Sequence, residues 1–275
     1  MHRSDPRRPV TDGRRKAYQV ILAAGICALM VFAGGGLTAG PGPGRGPGRG
    51  VAAAGPSQYL LQYDVKKGET LTYQVLISET IYSNAKRTTN LYREEIQVES
   101  AAAGDSTMRQ TVICAGTATP EGGEGRRLEA FRYYLTVEKT GRILEAEGLR
   151  PWDGRQMETL WLAQIILVDR PVAPGETWTV NDELYSTATG SLVLERRTYK
   201  FVGVEKVGSQ DAFKVKYEVS RKGRADSKAY TYIGTGTFYL ASGKLVKMDS
   251  SEIVTYGGNG QDTKVITMIQ VEVAR

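Results

Sequence analysis

At 275 residues, 41% of them hydrophobic, the chain is long enough for one large β domain or two small ones with a substantial core. Its formal charge of +6 is concentrated at the start. Of 36 basic and 30 acidic residues, eight and two fall in residues 1–50, so 28 of each remain in 51–275. A formally neutral folded part lacks the dense positive charge that phosphates demand, which argues against nucleic acid as a partner.

Arg14-Arg15-Lys16 stands just before Val20–Ala39, a stretch without a charged residue. Twenty such residues at about 1.5 Å each span roughly 30 Å, the thickness of a bilayer core. Positive charge on the amino-terminal side keeps that end in the cytoplasm and sends the rest across. Gly34-Gly35-Gly36, with Leu37-Thr38-Ala39 or Ala52-Ala53-Ala54 as a cleavage site, equally suits a signal peptide. Residues 1–40 are therefore expected to be a signal peptide or an N-terminal membrane anchor. A lipidated cysteine does not fit, because Cys27 follows Ile26 and lies too early in the apolar run.

Eight of the ten residues Pro41–Gly50 are glycine or proline, so 41–57 is expected to be a linker. From residue 58 to 275 the expectation is one extracytoplasmic β domain. Period-two alternation dominates it. Leu71, Tyr73, Val75 and Ile77 share one face, as do Phe131, Tyr133, Leu135 and Val137. Phe213, Val215, Tyr217 and Val219 repeat the pattern, and so do Val265, Ile269, Val271 and Val273. Antiparallel sheets carry such a pattern when one face is core and the other meets water. Thr140-Gly141, Ser242-Gly243 and Gly257-Gly258-Asn259-Gly260 are hairpin signals between the strands.

The chain also echoes itself. Lys67-Gly68-Glu69-Thr70-Leu71-Thr72 returns 107 residues later as Pro174-Gly175-Glu176-Thr177-Trp178-Thr179. Thr140-Gly141-Arg142-Ile143-Leu144 returns after 102 residues as Ser242-Gly243-Lys244-Leu245-Val246. Matches in the same order at nearly constant offset suggest two related halves, about 59–150 and 171–275. Between them an amphipathic helix is predicted over Asp153–Val168. Met157, Leu160, Trp161, Gln164, Ile165 and Val168 lie on one stripe, with Asp153 as N-cap and Pro171 and Pro174 beyond the end. In Tyr230–Leu240, Gly234 and Gly236 share a face with Tyr230, Tyr232 and Phe238, which makes a notch for a bend, a packed neighbour or a ligand.

Catalytic signatures fail on inspection. His2 is the one histidine, so the domain after the linker has no imidazole for a Ser-His-Asp or Cys-His centre or for His-ligated zinc. Cys114 lies in a predicted strand and is expected to be a small buried apolar residue. Ser83-Asn84-Ala85-Lys86 and Lys139-Thr140-Gly141 match two motifs of penicillin-recognising enzymes. Ser83, however, falls in a turn and not at the start of a buried helix. Glu94 and Glu95 are strand neighbours that point to opposite faces, and both are expected in solvent. Asp249, Glu252, Asn259 and Asp262 match no calcium loop. No cofactor, no metal and no enzymatic activity are expected.

An export leader followed by curved antiparallel strands and an amphipathic helix resembles the lipoprotein-carrier superfamily of bacterial envelopes. The residues that carry the likeness are Pro174-Gly175-Glu176-Thr177-Trp178 and the hairpin Gly234–Lys247. The resemblance implies an open half-barrel whose concave face, covered by helices, binds acyl chains. This chain departs from it in having one clear helix. The fold expected is mainly β: a curved antiparallel sheet or open half-barrel, with one amphipathic helix between two related halves. Its function is expected to be a binding module for an apolar or amphiphilic ligand, a lipid or lipoprotein acyl chain, lined by Trp152, Met157, Trp161, Tyr230, Tyr232 and Phe238. The alternative is a structural or protein-interaction domain of the cell envelope in which the same residues form a dry core.

Overall fold

The computed structural model describes residues 57–83, 86–102, 106–148, 165–186, 191–225, 228–257 and 263–274, together with Cys27 and Ala28. Fourteen strands follow one another, and no described residue is helical. They are β1 (Cys27–Ala28), β2 (Tyr59–Leu60), β3 (Thr70–Ser83), β4 (Lys86–Ala102), β5 (Thr107–Pro120), β6 (Arg126–Glu138) and β7 (Ile143–Glu147). Then come β8 (Pro171–Val172), β9 (Thr177–Ser186), β10 (Ser191–Val207), β11 (Gln210–Ala225), β12 (Lys228–Ala241), β13 (Lys244–Gly257) and β14 (Thr263–Val273).

Twelve of them form one sheet, in the order β1-β9-β10-β11-β12-β13-β14-β3-β4-β5-β6-β7. All neighbours are antiparallel, and the curved sheet does not close into a barrel. The order is that of two meanders. Each half is a meander, β3 to β7 and β9 to β13, and β14 carries the second meander back to pair with β3.

The alternating residues sort as the pattern predicts. Val75 and Ile77, Tyr133 and Leu135, Val215 and Tyr217, and Ile269 and Val271 are all buried in one hydrophobic cluster on the inner face. Cys114 is buried in the core as a thiol and forms no disulfide. Glu94 corrects the expectation of a solvated carboxylate. Its neighbour Glu95 faces water, but inner-face parity places Glu94 in the interior. Asp249 faces outward beside Lys247, whereas Glu252 is buried on the inner face.

The turn shared by the halves is repeated bond for bond. Lys66 N–H donates to Glu69 Oε2 (3.0 Å) and Glu69 N–H to the Lys66 carbonyl (3.1 Å). Gly68 N–H then reaches the Ser100 carbonyl (2.7 Å), and Ser100 N–H reaches that of Glu69 (3.0 Å). In the second half Ala173, Gly175, Glu176 and Phe201 make the same four bonds at 2.7–3.0 Å. Gly68 and Gly175 have φ of 76° and 90°, which is why both copies of the motif hold glycine there.

Two extended segments lie against the inner face. The first strap, residues 59–65, and the second, 165–172, pair through β2 and β8, Tyr59 opposite Val172 and Leu60 opposite Pro171. The helix predicted over 153–168 lies outside the described residues as far as Gln164. Its last four positions are described and are not helical. Ile165, Ile166 and Leu167 are buried in succession, where a helix stripe would have turned one of them to solvent. The β-branched pair Ile165-Ile166 suits an extended chain wedged into the core.

The notch at Gly234 and Gly236 is filled by the protein's own side chains. A Cβ on Gly236 would meet the ring of Tyr217 and lie 2.7 Å from the Asp249 carbonyl oxygen. One on Gly234 would lie 2.7 Å from Val219 Cγ1. The glycines seat residues of the adjacent strand β11. Gly236→Ala is accordingly expected to destabilise the domain by about 2 kcal/mol through overpacking, measured by urea denaturation. A cost within error of zero would show that the Tyr217 ring is not seated there.

Candidate functional site

Register arranges the inner face in rows about 7 Å apart along the strands. Phe201, Val215, Phe238, Met248, Val271 and Val75 lie side by side across β10, β11, β12, β13, β14 and β3, and all are buried. The next row is Tyr199, Tyr217, Gly236, Ser250, Ile269 and Ile77. The third is Arg197, Val219, Gly234, Glu252, Thr267 and Glu79. From β10 to β3 the chemistry passes over two steps from hydrocarbon to phenol and hydroxyl and then to ionisable groups; on β4 the buried Glu94 adjoins Val75 in the first row, and the row beyond the third carries Tyr232, Val254, Val265 and Ile81.

The polar end is organised around Glu195 on β10, whose side chain is 1% exposed. Its carboxylate accepts from Arg197 Nε at 2.5 Å and from Arg221 Nε at 2.8 Å, and both arginines also approach through Nη2. Burial works to raise the Glu195 carboxyl, but Arg221 and then Arg197 overcome it and hold it below the usual carboxylate range. The Arg221 guanidinium stacks over the Tyr232 ring, 4.9 Å from its centre. Across the sheet, Glu79 accepts from Asn90 Nδ2 at 3.2 Å.

The apolar end lies beneath the straps. Tyr63 N–H donates to the Lys139 carbonyl and Asp64 N–H to that of Gly243, both at 2.9 Å. Leu167 N–H donates to the Thr140 carbonyl at 2.7 Å. The corresponding hairpin tips, noticed in sequence as a repeat, are thus the anchor points of the straps. A Cβ on Gly141 would lie 2.7 Å from the Tyr63 ring, and one on Gly243 would meet Asp64. Trp178 Nε1 donates to the Ile166 carbonyl at 2.8 Å and fastens the second strap to β9.

Two spaces flank the first strap. Inside it is a cavity of about 50 Å³, lined by Tyr63 and Val65 of the strap and by Tyr73, Val75, Ile96 and Val98 of the sheet. Lys244 and Gln110 are its polar borders. Lys244 hydrogen-bonds Glu69, and that bond, with the Lys66 N–H, holds the Glu69 carboxyl below its ordinary range. Burial pushes the Tyr63 phenol up, against the donation it receives from Ile165 N–H at 2.9 Å. Outside the strap is an open groove of about 720 Å³, lined among others by Leu60, Gln62 and Asp64 and by Phe213.

Of the six residues singled out in the sequence, Trp152, Met157 and Trp161 lie outside the described residues. Tyr230, Tyr232 and Phe238 all point to the inner face and are buried. They are packed against protein partners: Tyr230 against Tyr256, Tyr232 under Arg221 and Phe238 against Tyr217 with ring centres 4.8 Å apart. None of them lines the cavity or the groove. Tyr63 and Val65 were missed, although Tyr59, Leu61, Tyr63 and Val65 alternate with Leu60, Gln62 and Asp64, a short period-two signal.

No protein-family model and no curated protein sequence matches the chain. Among solved structures it is similar to lipovitellin over 77% of its length, with 9% identity and a TM-score of 0.49, and it spans 26% of that chain. A Bacteroides fragilis protein with a YmcC-like fold is similar over 79% of this chain and all of its own, with 14% identity and a TM-score of 0.31. An outer membrane channel from Pseudomonas putida is similar over 77% of this chain and 97% of its own, with 8% identity and a TM-score of 0.32. None of the three is named as a lipoprotein carrier.

The ion cluster sets a pH dependence. The folded carboxyl of Glu195 lies below its unfolded value of about 4.3, so its stabilisation is complete above that pH and is lost as pH falls through the folded value. Glu195→Gln leaves the buried Arg197 and the half-buried Arg221 without their shared anion and is expected to cost about 3 kcal/mol at pH 7. Thermal unfolding between neutral and acid pH should show a shallower decline for the variant below about pH 4.3. An identical decline in both proteins would rule out an ionised Glu195.

Proposed function

We propose that the chain is a non-enzymatic, extracytoplasmic binding module whose concave face receives one apolar or amphiphilic, lipid-like ligand. The observation that carries this reading is the graded inner face. Rows of Phe201, Val215 and Phe238 give way to Tyr199 and Tyr217 and then to Arg197, Glu252 and Glu79 within about 14 Å along the strands. An amphiphile has the same order of chemistry along its length. Hydrocarbon belongs under the straps, and a polar head belongs near the ionisable rows. The basic cluster Arg14-Arg15-Lys16 before Val20–Ala39 supports placing the domain across a membrane from the cytoplasm.

A second reading, a structural or interaction domain of the envelope with a dry core, is favoured by one number. The cavity of about 50 Å³ is far below the roughly 300–1,000 Å³ of ordinary ligand sites. Native mass spectrometry of the full chain purified from its producing cells separates the two. The binding reading expects a co-purifying mass of a single lipid, and saturable fluorescence from an added fatty-acid probe once that lipid is removed. A bare protein mass together with no probe response would overturn it in favour of the dry core.

A further inference from the structure

The straps are built as one unit. Beyond the β2–β8 pairing, Gln62 Nε2 donates to Asp169 Oδ1 at 3.3 Å and Ile165 N–H to Tyr63 Oη at 2.9 Å, so neither strap moves without the other. Their backbone is bonded to the two hairpin tips of the main sheet, at Lys139, Thr140 and Gly243. Towards the inner face they present apolar side chains, Leu61, Tyr63, Ile165, Leu167 and Val172, all buried. Contacts of that kind are non-directional, and hydrocarbon of another origin satisfies the same surface equally well.

The first strap is also a wall. Successive residues of an extended chain point to opposite sides. Leu60, Gln62 and Asp64 line the open groove of about 720 Å³, and Tyr63 and Val65 line the inner cavity of about 50 Å³. The groove is of ligand size and the cavity is not. Removing the wall would join them across the apolar end of the concave face. Each strap runs into its meander through the duplicated turn, 66–69 and 173–176. The glycines of those turns have positive φ and nothing within 4 Å of the Cβ position.

We propose that the paired straps are a displaceable internal ligand. They occupy the concave face in the unliganded protein, and the acyl portion of an amphiphile entering from the groove lifts them as a unit about the turns at 66–69 and 173–176. The proposal rests on the apolar-ligand reading and adds to it the route of entry and the element that regulates it. It requires a different measurement from simple binding.

Hydrogen exchange of the full chain, with and without cis-parinaric acid, a fluorescent fatty acid, tests it. Bound probe is expected to accelerate exchange of the Tyr63, Asp64 and Leu167 amides by about tenfold or more, while the amides of β12 and β13 keep their protection. Tyr63→Phe, which removes the acceptor for Ile165 N–H, is expected to speed probe uptake about fivefold, the equivalent of one ordinary hydrogen bond. Probe fluorescence with unchanged strap exchange would overturn the displacement and leave the binding reading intact. Absence of probe binding would remove the binding reading itself, and the displacement with it.

Discussion

The structure depends on a single constraint: every second residue of eleven long or medium strands is committed to one face of one sheet, and that face has to be kept from water. Curvature brings the two wings of the sheet toward one another, but an open sheet cannot cover itself. The straps complete the burial at the hairpin end. Leu61, Tyr63, Ile165, Leu167 and Val172 are each worth roughly 1.5–3 kcal/mol when fully buried, so together they contribute on the order of 10 kcal/mol. That sum is of the same order as the whole net stability of a domain. The straps cannot be an ornament on an independently stable sheet. Anything that takes their place has to cover comparable apolar area as they leave.

The cover has two strands because each half contributes one. Each half supplies a strap, a glycine-glutamate turn and a meander whose hairpin tip carries a close-approach glycine, Gly141 in one and Gly243 in the other. The first strap takes bonds from the tips of both halves, through Tyr63 to Lys139 and Asp64 to Gly243. The ion pair of Glu69 with Lys244 likewise joins the turn of the first half to the hairpin of the second. The two meanders are thus fastened twice, once edge to edge through β14 and β3 and once through the straps at the tips.

Much of this was legible in the sequence because strand periodicity is local. Val75 and Ile77, or Val215 and Tyr217, declare their face within four residues, and the glycine of the shared turn declares a positive φ in both copies. What the sequence hid is non-local. The run Trp161, Gln164, Ile165 and Val168 satisfies helical spacing as well as Ile165-Ile166-Leu167 satisfies an extended core segment, and a short apolar run cannot settle the choice by periodicity. Glu94 sits in the same alternating pattern as Glu95, and only the parity of β4 against Tyr92 and Ile96 reveals which of the two is inside. The cavity joins Tyr63, Gly141 and Lys244, residues about 80 to 180 positions apart whose meeting no local rule predicts. Tyr230, Tyr232 and Phe238 were visible as aromatics of one face. Their partners Tyr256, Arg221 and Tyr217 lie on the neighbouring strands β13 and β11, so the rings are spent on packing.

The ionisable rows bear most directly on the choice between a container and a dry scaffold. Enclosing Glu195 with Arg197 and Arg221 has a desolvation cost that the mutual attraction does little more than offset, and well-packed hydrocarbon in the same rows would give an equal or more stable sheet. A sheet selected for rigidity alone would extend the row of Phe201, Val215 and Phe238 along its length. On β10 to β13 tyrosine and serine follow the Phe201 row and Arg197 and Glu252 follow them, and the apolar face resumes beyond with Tyr232, Val254, Val265 and Ile81.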